Sequence, residues 1–140
     1  MSPRGGVRTT ACDRTQAKVR LDHAAKYREV AELVASEGEA VPASASVGAG
    51  LAVLAGIAAA DAACCAALGR RSRAQDHRQA LRLLTEVEPG GQEAARHLEV
   101  LLDLKDTAHY GVIHVTPAEL RRALRRSEQL VSYAKTILAR

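Results

Sequence analysis

The chain has 140 residues, 47% of them apolar, a formal charge of +4 and a sequence pI near 9.3. That length supports one helical core and excludes two independent ones. With no Trp, no Phe and three Tyr, the core rests on Ala, Leu and Val. Such a core gains less per residue from burial than an aromatic one and favours close backbone approach or pairing with a second copy. Alanine also favours helix over strand.

In chain order, the stretch from Met1 to Thr10 carries Pro3, Gly5 and Gly6 and no apolar run. It reads as a frayed tail and not as a signal peptide. Residues 1–14 are therefore expected as a flexible tail and residues 15–140 as one helical domain. Ala17, Leu21, Ala24, Tyr27, Ala31 and Val34 recur every three or four residues and predict an amphipathic helix over 15–37, ended by Gly38. Val41-Pro42 is expected to keep the chain extended before a second helix over 46–68, stopped by Gly69.

That second segment is apolar enough to test as a membrane span, but Ala and Gly dominate it and Asp61 sits within it. A buried central helix is the better reading, with Gly56 and Ala60 forming a small-residue stripe for a close neighbour. Asp61 then has to face water or find a partner, and an Arg or His is expected to pair with it. The cysteines are Cys12, Cys64 and Cys65, an odd number without a C-x-x-C. This predicts no structural disulfide, no zinc site, and packing roles for Cys64 and Cys65 in a reducing cytoplasm.

A short helix is predicted over 74–86, ended by Pro89-Gly90-Gly91, and a fourth over 92–109, ended by Gly111. The last helix has the clearest start. Thr116-Pro117-Ala118-Glu119 is a capping box with proline in the first turn, and Leu120, Leu124, Ser127, Val131, Ala134 and Leu138 follow at heptad spacing. Short connections make consecutive helices antiparallel. The expected fold is all-α, an up-down antiparallel four-helix bundle with one additional short helix. Val112 to Val115 is the only β-like run and is too short to count as a strand.

From Lys18 onward the order of features resembles the HEPN superfamily, helical-bundle proteins of nucleotide-associated and RNA-cleaving systems. The matching stretches are Ile57-Ala58-Ala59-Ala60-Asp61-Ala62, Leu68-Gly69, His77, and Leu104 through Gly111. The resemblance implies a homodimer and a prokaryotic stress, defence or toxin–antitoxin setting. Catalytic members carry an Arg, a polar residue directly after it, and a His a few residues on. At the matching positions this chain has Lys105, Asp106 and Tyr110. Lys lacks the planar guanidinium fork, and Tyr is a poor general base near neutral pH. His109 is one residue out of register, about a quarter turn of helix.

The resemblance thus implies a non-catalytic binding module for RNA, a nucleotide or a cognate protein partner, with no cofactor and no metal. Arg70, Arg71, Arg73, His77, Lys105, Asp106 and Tyr110 are the candidate binding residues. Two alternatives stand beside it. One is a metal-independent ribonuclease using Arg71 and His77, which satisfy the Arg–His spacing, or Lys105 and His109. The other is a structural protein–protein adaptor. Arg70, Arg71, Arg73, Arg78 and Arg82 form a basic cluster suited to phosphate, though no aromatic residue accompanies it for base stacking. Asp103, Asp106, His109 and His114 are metal-ligating residue types, but their spacing drifts around the helix, and solvated helix ends are the simpler account.

Overall fold

The computed structural model describes residues 8–38, 40–73 and 77–140. Five helices and one small two-stranded sheet make up the fold: β1 (Thr9–Ala11), α1 (Arg14–Ala35), α2 (Pro42–Leu68), β2 (Arg70–Ser72), α3 (Arg78–Leu84), α4 (Gly91–Tyr110) and α5 (Pro117–Leu138). The mostly helical character follows the expectation.

The centre is α2. Its 27 residues carry one charge, Asp61, and it is buried nearly all round. It packs against α1, α4 and α5 together. Small side chains make that arrangement feasible. A Cβ added at Gly56 would meet Leu101 Cδ1 at 2.4 Å and Leu130 Cδ1 at 3.2 Å, so α4 and α5 both approach α2 at this point. Against α2 and α5, α1 buries Ala17, Ala24 and Ala31, one alanine every seven residues. The larger core side chains come from the other helices: Leu83 and Leu84 of α3, Leu98 and Leu101 of α4, and Leu130 of α5 are fully buried. The one helix long and apolar enough to cross a membrane, among the described residues, is this same α2, and most of it is covered by protein.

Local signals set the element ends. Asp13 caps α1 in a reciprocal box: its carboxylate accepts from the Gln16 backbone N–H at 2.8 Å, and the Gln16 side-chain oxygen accepts from the Asp13 N–H at 2.9 Å. Thr116 and Glu119 do the same for α5, with bonds of 3.1 and 2.9 Å. Gly69 leaves α2 in the left-handed conformation, φ 71°, which a residue with a Cβ adopts only with strain.

Four expectations need correction. Pro42 does not hold the chain extended but opens α2 as its first residue, a position where the missing N–H costs nothing. The short third helix is shorter than predicted and begins at Arg78; the start expected at residue 74 lies outside the described residues. The stretch expected as a tail through residue 14 is not all tail. Thr9–Ala11 pairs antiparallel with Arg70–Ser72, Thr10 opposite Arg71, and α1 starts at Arg14. No strand was expected there, because three residues are too few for an alternation to register. Finally, Cys12 and Cys65 form a disulfide, 53 residues apart in sequence, and only Cys64 is a free thiol. An odd cysteine count never excluded one bond with one thiol left over.

The α5 capping box gives a direct test. Thr116→Ala removes the hydroxyl that accepts from the Glu119 amide and should cost about 1 kcal/mol. Thermal melting of the variant should fall by roughly 3–5 °C; an unchanged melting temperature would show that this cap carries no weight.

Candidate anion-binding recess

The residues that gather are not the ones the α4 motif points to. Two adjoining cavities, about 380 and 360 Å³, open between α1, α2 and β2 and share Arg20, Asp61 and Arg71 as walls. The first is completed by Gln16, Val19 and Cys65. The second is completed by Ile57, Ser72, Arg73, His77 and Ala80. Each is within the usual range of small-ligand sites, about 300–1,000 Å³.

Each cation arrives by a different route. Arg20 projects from α1 and holds Asp61 Oδ2 through its Nη2 at 3.0 Å and its Nε at 3.2 Å. This is the partner Asp61 was expected to need. Arg71 is delivered by the turn at Gly69 and the strand that follows. Successive strand residues face opposite ways: Arg70 is tied to Glu86 at 2.9 Å, whereas Arg71 faces the recess. Arg73 and His77 follow on the way to α3. Among the described residues neither Arg71 nor Arg73 is held in an ion pair. The Ser72 hydroxyl is buried without a hydrogen-bond partner among the described residues. Three guanidinium groups and an imidazole therefore line a recess in which Asp61 is the one carboxylate among the described residues.

Asp61 sits under this cluster. Burial pushes its carboxyl above the ordinary value of 3.8, and Arg20, Arg71 and His77 pull the other way without cancelling it. The neighbouring Cys64 thiol is pushed up to about 12, chiefly by burial and then by the negative charges of Asp61 and Glu86. It is therefore a thiol, not a thiolate, at any physiological pH.

The predicted site residues divide into separate places. Arg71, Arg73 and His77 come together. Arg70 turns away to Glu86, and Arg78 bonds Asp103 at 2.7 Å. Arg82 lines a different cavity, between α3 and α4. Lys105, Asp106, His109 and Tyr110 lie at the far end of α4, where the His109 ring packs over Gly50. Gly50 and Asp61 are 11 residues apart on α2, which is about 16 Å of helix rise. The Lys105–Tyr110 stretch and the recess are not one site. Asp103, Asp106, His109 and His114 do not gather into a metal-holding group among the described residues.

Arg20 and Ser72 were not anticipated. Asp61 signalled that a cation was needed, but its partner is 41 residues away on another helix, and nothing in the sequence selects Arg20 from the other arginines. No protein-family model matches the chain, and no curated protein matches it.

The Asp61 environment has a signed pH consequence. Asp61 ionises near 3.8 when unfolded and at a higher pH when folded. Between those values the folded state holds the extra proton, so this group adds stability as pH falls through its folded pKa, with the gain complete below 3.8. The stability difference between wild type and Asp61→Asn should be flat near neutrality. It should then shift toward wild type as urea melts are taken from about pH 7 to about pH 4. A shift toward the Asn variant would mean that the Arg20 ion pair outweighs burial.

Proposed function

We propose that the chain is a non-catalytic, HEPN-like helical module that binds a phosphate-bearing ligand, an RNA strand or a free nucleotide, in the Arg20–Arg71–Arg73–His77 recess. The finer fold belongs to the same proposal: an up-down antiparallel four-helix bundle of α1, α2, α4 and α5, with α3 as the additional short helix. The observation that carries the reading is the convergence of cations from α1, β2 and the approach to α3 on one concave site, with Arg71 and Arg73 not committed to carboxylates among the described residues. Guanidinium groups match phosphate oxygens in charge and in fork geometry. The buried Ser72 hydroxyl, without a hydrogen-bond partner among the described residues, supplies a neutral donor beside them. A prokaryotic stress, defence or toxin–antitoxin role in the cytoplasm is part of the proposal through the HEPN resemblance, as is an unidentified cognate protein.

A second reading, ribonuclease activity, has one observation in its favour: Arg71 and His77 line the same cavity. Binding and cleavage separate in one experiment. Single-stranded RNA should bind with an affinity that falls steeply with salt, about 0.7 in log–log slope for each phosphate neutralised. Arg71→Ala with Arg73→Ala should weaken it by roughly tenfold or more, about 1.4 kcal/mol, and reduce the slope. Adenosine monophosphate in place of RNA distinguishes a nucleotide site from a strand site. Wild-type protein should leave the RNA uncut. Cleavage abolished by His77→Ala would establish the ribonuclease instead, and absence of binding to either probe would favour the adaptor.

The homodimer is proposed at the opposite end. Tyr110, Val112 and Ile113, in and after the last turn of α4, are 79%, 101% and 76% exposed. Three large apolar side chains in one short segment favour an interface over solvent. Light scattering at micromolar concentration should give twice the chain mass, and Ile113→Asp should return it to a monomer; a monomeric wild type overturns the pairing.

A further inference from the structure

The recess is built on a strand that a disulfide ties down. Cys65 lies one turn of α2 beyond Asp61 and forms part of the recess wall beside Arg20 and Arg71. Its partner, Cys12, stands between β1 and the Asp13 cap of α1. Around that bond the N-terminal strand is the paired strand of β2 among the described residues: Thr10 is opposite Arg71, the Cys12 N–H donates to the Gly69 carbonyl at 3.0 Å, and the Arg73 N–H donates to the Arg8 carbonyl at 3.0 Å. A two-stranded ladder of three residues each is marginal by itself. Here the covalent bond keeps its two halves together.

We infer that the Cys12–Cys65 disulfide is a reversible latch on the recess: oxidised, it holds β1 against β2 and fixes Arg71 and Arg73 for phosphate; reduced, it releases the ladder and weakens binding. This rests on the recess being the binding site proposed above. The chemistry has a defined direction. Cys65 is only 2% exposed, whereas Cys12 is half-buried, so an external dithiol attacks the Cys12 sulfur. The S–S bond breaks, and Cys65 leaves as a thiolate that takes up a proton. The second thiol of the reductant, as its thiolate, then displaces Cys12 from the mixed disulfide, and Cys12 is protonated in turn. Two electrons pass from the dithiol to the protein; the products are two protein thiols and an oxidised reductant. Cys64, adjacent to Cys65, does not scramble the pair, because a buried thiol that stays protonated is a poor nucleophile.

The test uses the full chain in two redox states. Thiol titration under denaturing conditions should count one free thiol in the oxidised protein and three after treatment with dithiothreitol. Amide hydrogen exchange, which needs no ligand, should rise at least tenfold over residues 9–12 and 70–73 on reduction, with α4 and α5 unchanged. RNA affinity should fall about fivefold or more in parallel, and Cys12→Ser should match the reduced wild type in both measurements under oxidising conditions. If exchange and affinity are the same in both states, the latch is overturned. If exchange responds but neither state binds RNA or adenosine monophosphate, the binding proposal fails while the redox-controlled ladder stands. If melting shows Cys12→Ser to be unfolded, reduced wild type that keeps its α4 and α5 protection still decides the matter.

Discussion

The structure depends on one buried carboxylate in a helix otherwise made of small uncharged side chains. The alanines and glycines of α2 allow three helices to close on it, and that closeness removes water from whatever α2 carries. Asp61 is therefore desolvated, and an isolated charge in such a place is too costly to keep. Arg20 meets the need from α1. The pair stands at the floor of the recess, where it satisfies Asp61 and also brings a first guanidinium to the place that Arg71 joins from β2. A packing requirement thereby creates an electrostatic one, and the response to it is the beginning of a cationic site.

The short sheet is the second constraint. Gly69 ends α2 and turns the chain so that Arg70 and Arg71 separate to opposite sides, one to Glu86 and one to the recess. A disordered connection between α2 and α3 would leave both arginines in solvent as an ordinary basic loop. Pairing with Thr9–Ala11 converts that loop into a wall with a fixed register. Thr9–Ala11 thus supports the recess through the strand it pairs with, while its own three side chains are not among the described lining residues.

How much of this the sequence reveals depends on the range of each interaction. The Thr116–Glu119 box, the Gly69 stop and the burial of α2 are local or compositional, and each is legible from neighbouring residues. The need of Asp61 for a cation is legible too, because an uncharged helix around one carboxylate states it. The identity of Arg20, the convergence of Arg71 and His77, and the Cys12–Cys65 bond depend on segments 41 to 53 residues apart or on a turn whose direction only the fold sets. The HEPN resemblance maps a polar site onto Lys105, Asp106 and Tyr110, whereas the enclosed cations gather three turns of α2 away. Sequence order in that stretch carries the residue types of the motif but not which of them meet in space.

The cysteines show how a sound rule can lead to an incomplete conclusion. Disulfides are rare in a reducing compartment because glutathione and thioredoxin systems keep thiols reduced, and those that do occur there are mostly transient or redox-sensing. An adjacent pair with a distant third cysteine looks unlike a structural framework, and in one respect it is: the single bond joins the start of α1 to α2, whereas the core also draws on α3, α4 and α5, which carry no cysteine. What the bond joins is narrower. It ties the end of a three-residue strand to the helix that carries Asp61, beside cavity walls that include Arg20 and Arg71. A crosslink placed there bears directly on the wall of the recess, which Cys65 itself lines. On the latch proposed above, opening the bond would loosen β1 from β2 and change the wall from which Arg71 reaches the recess.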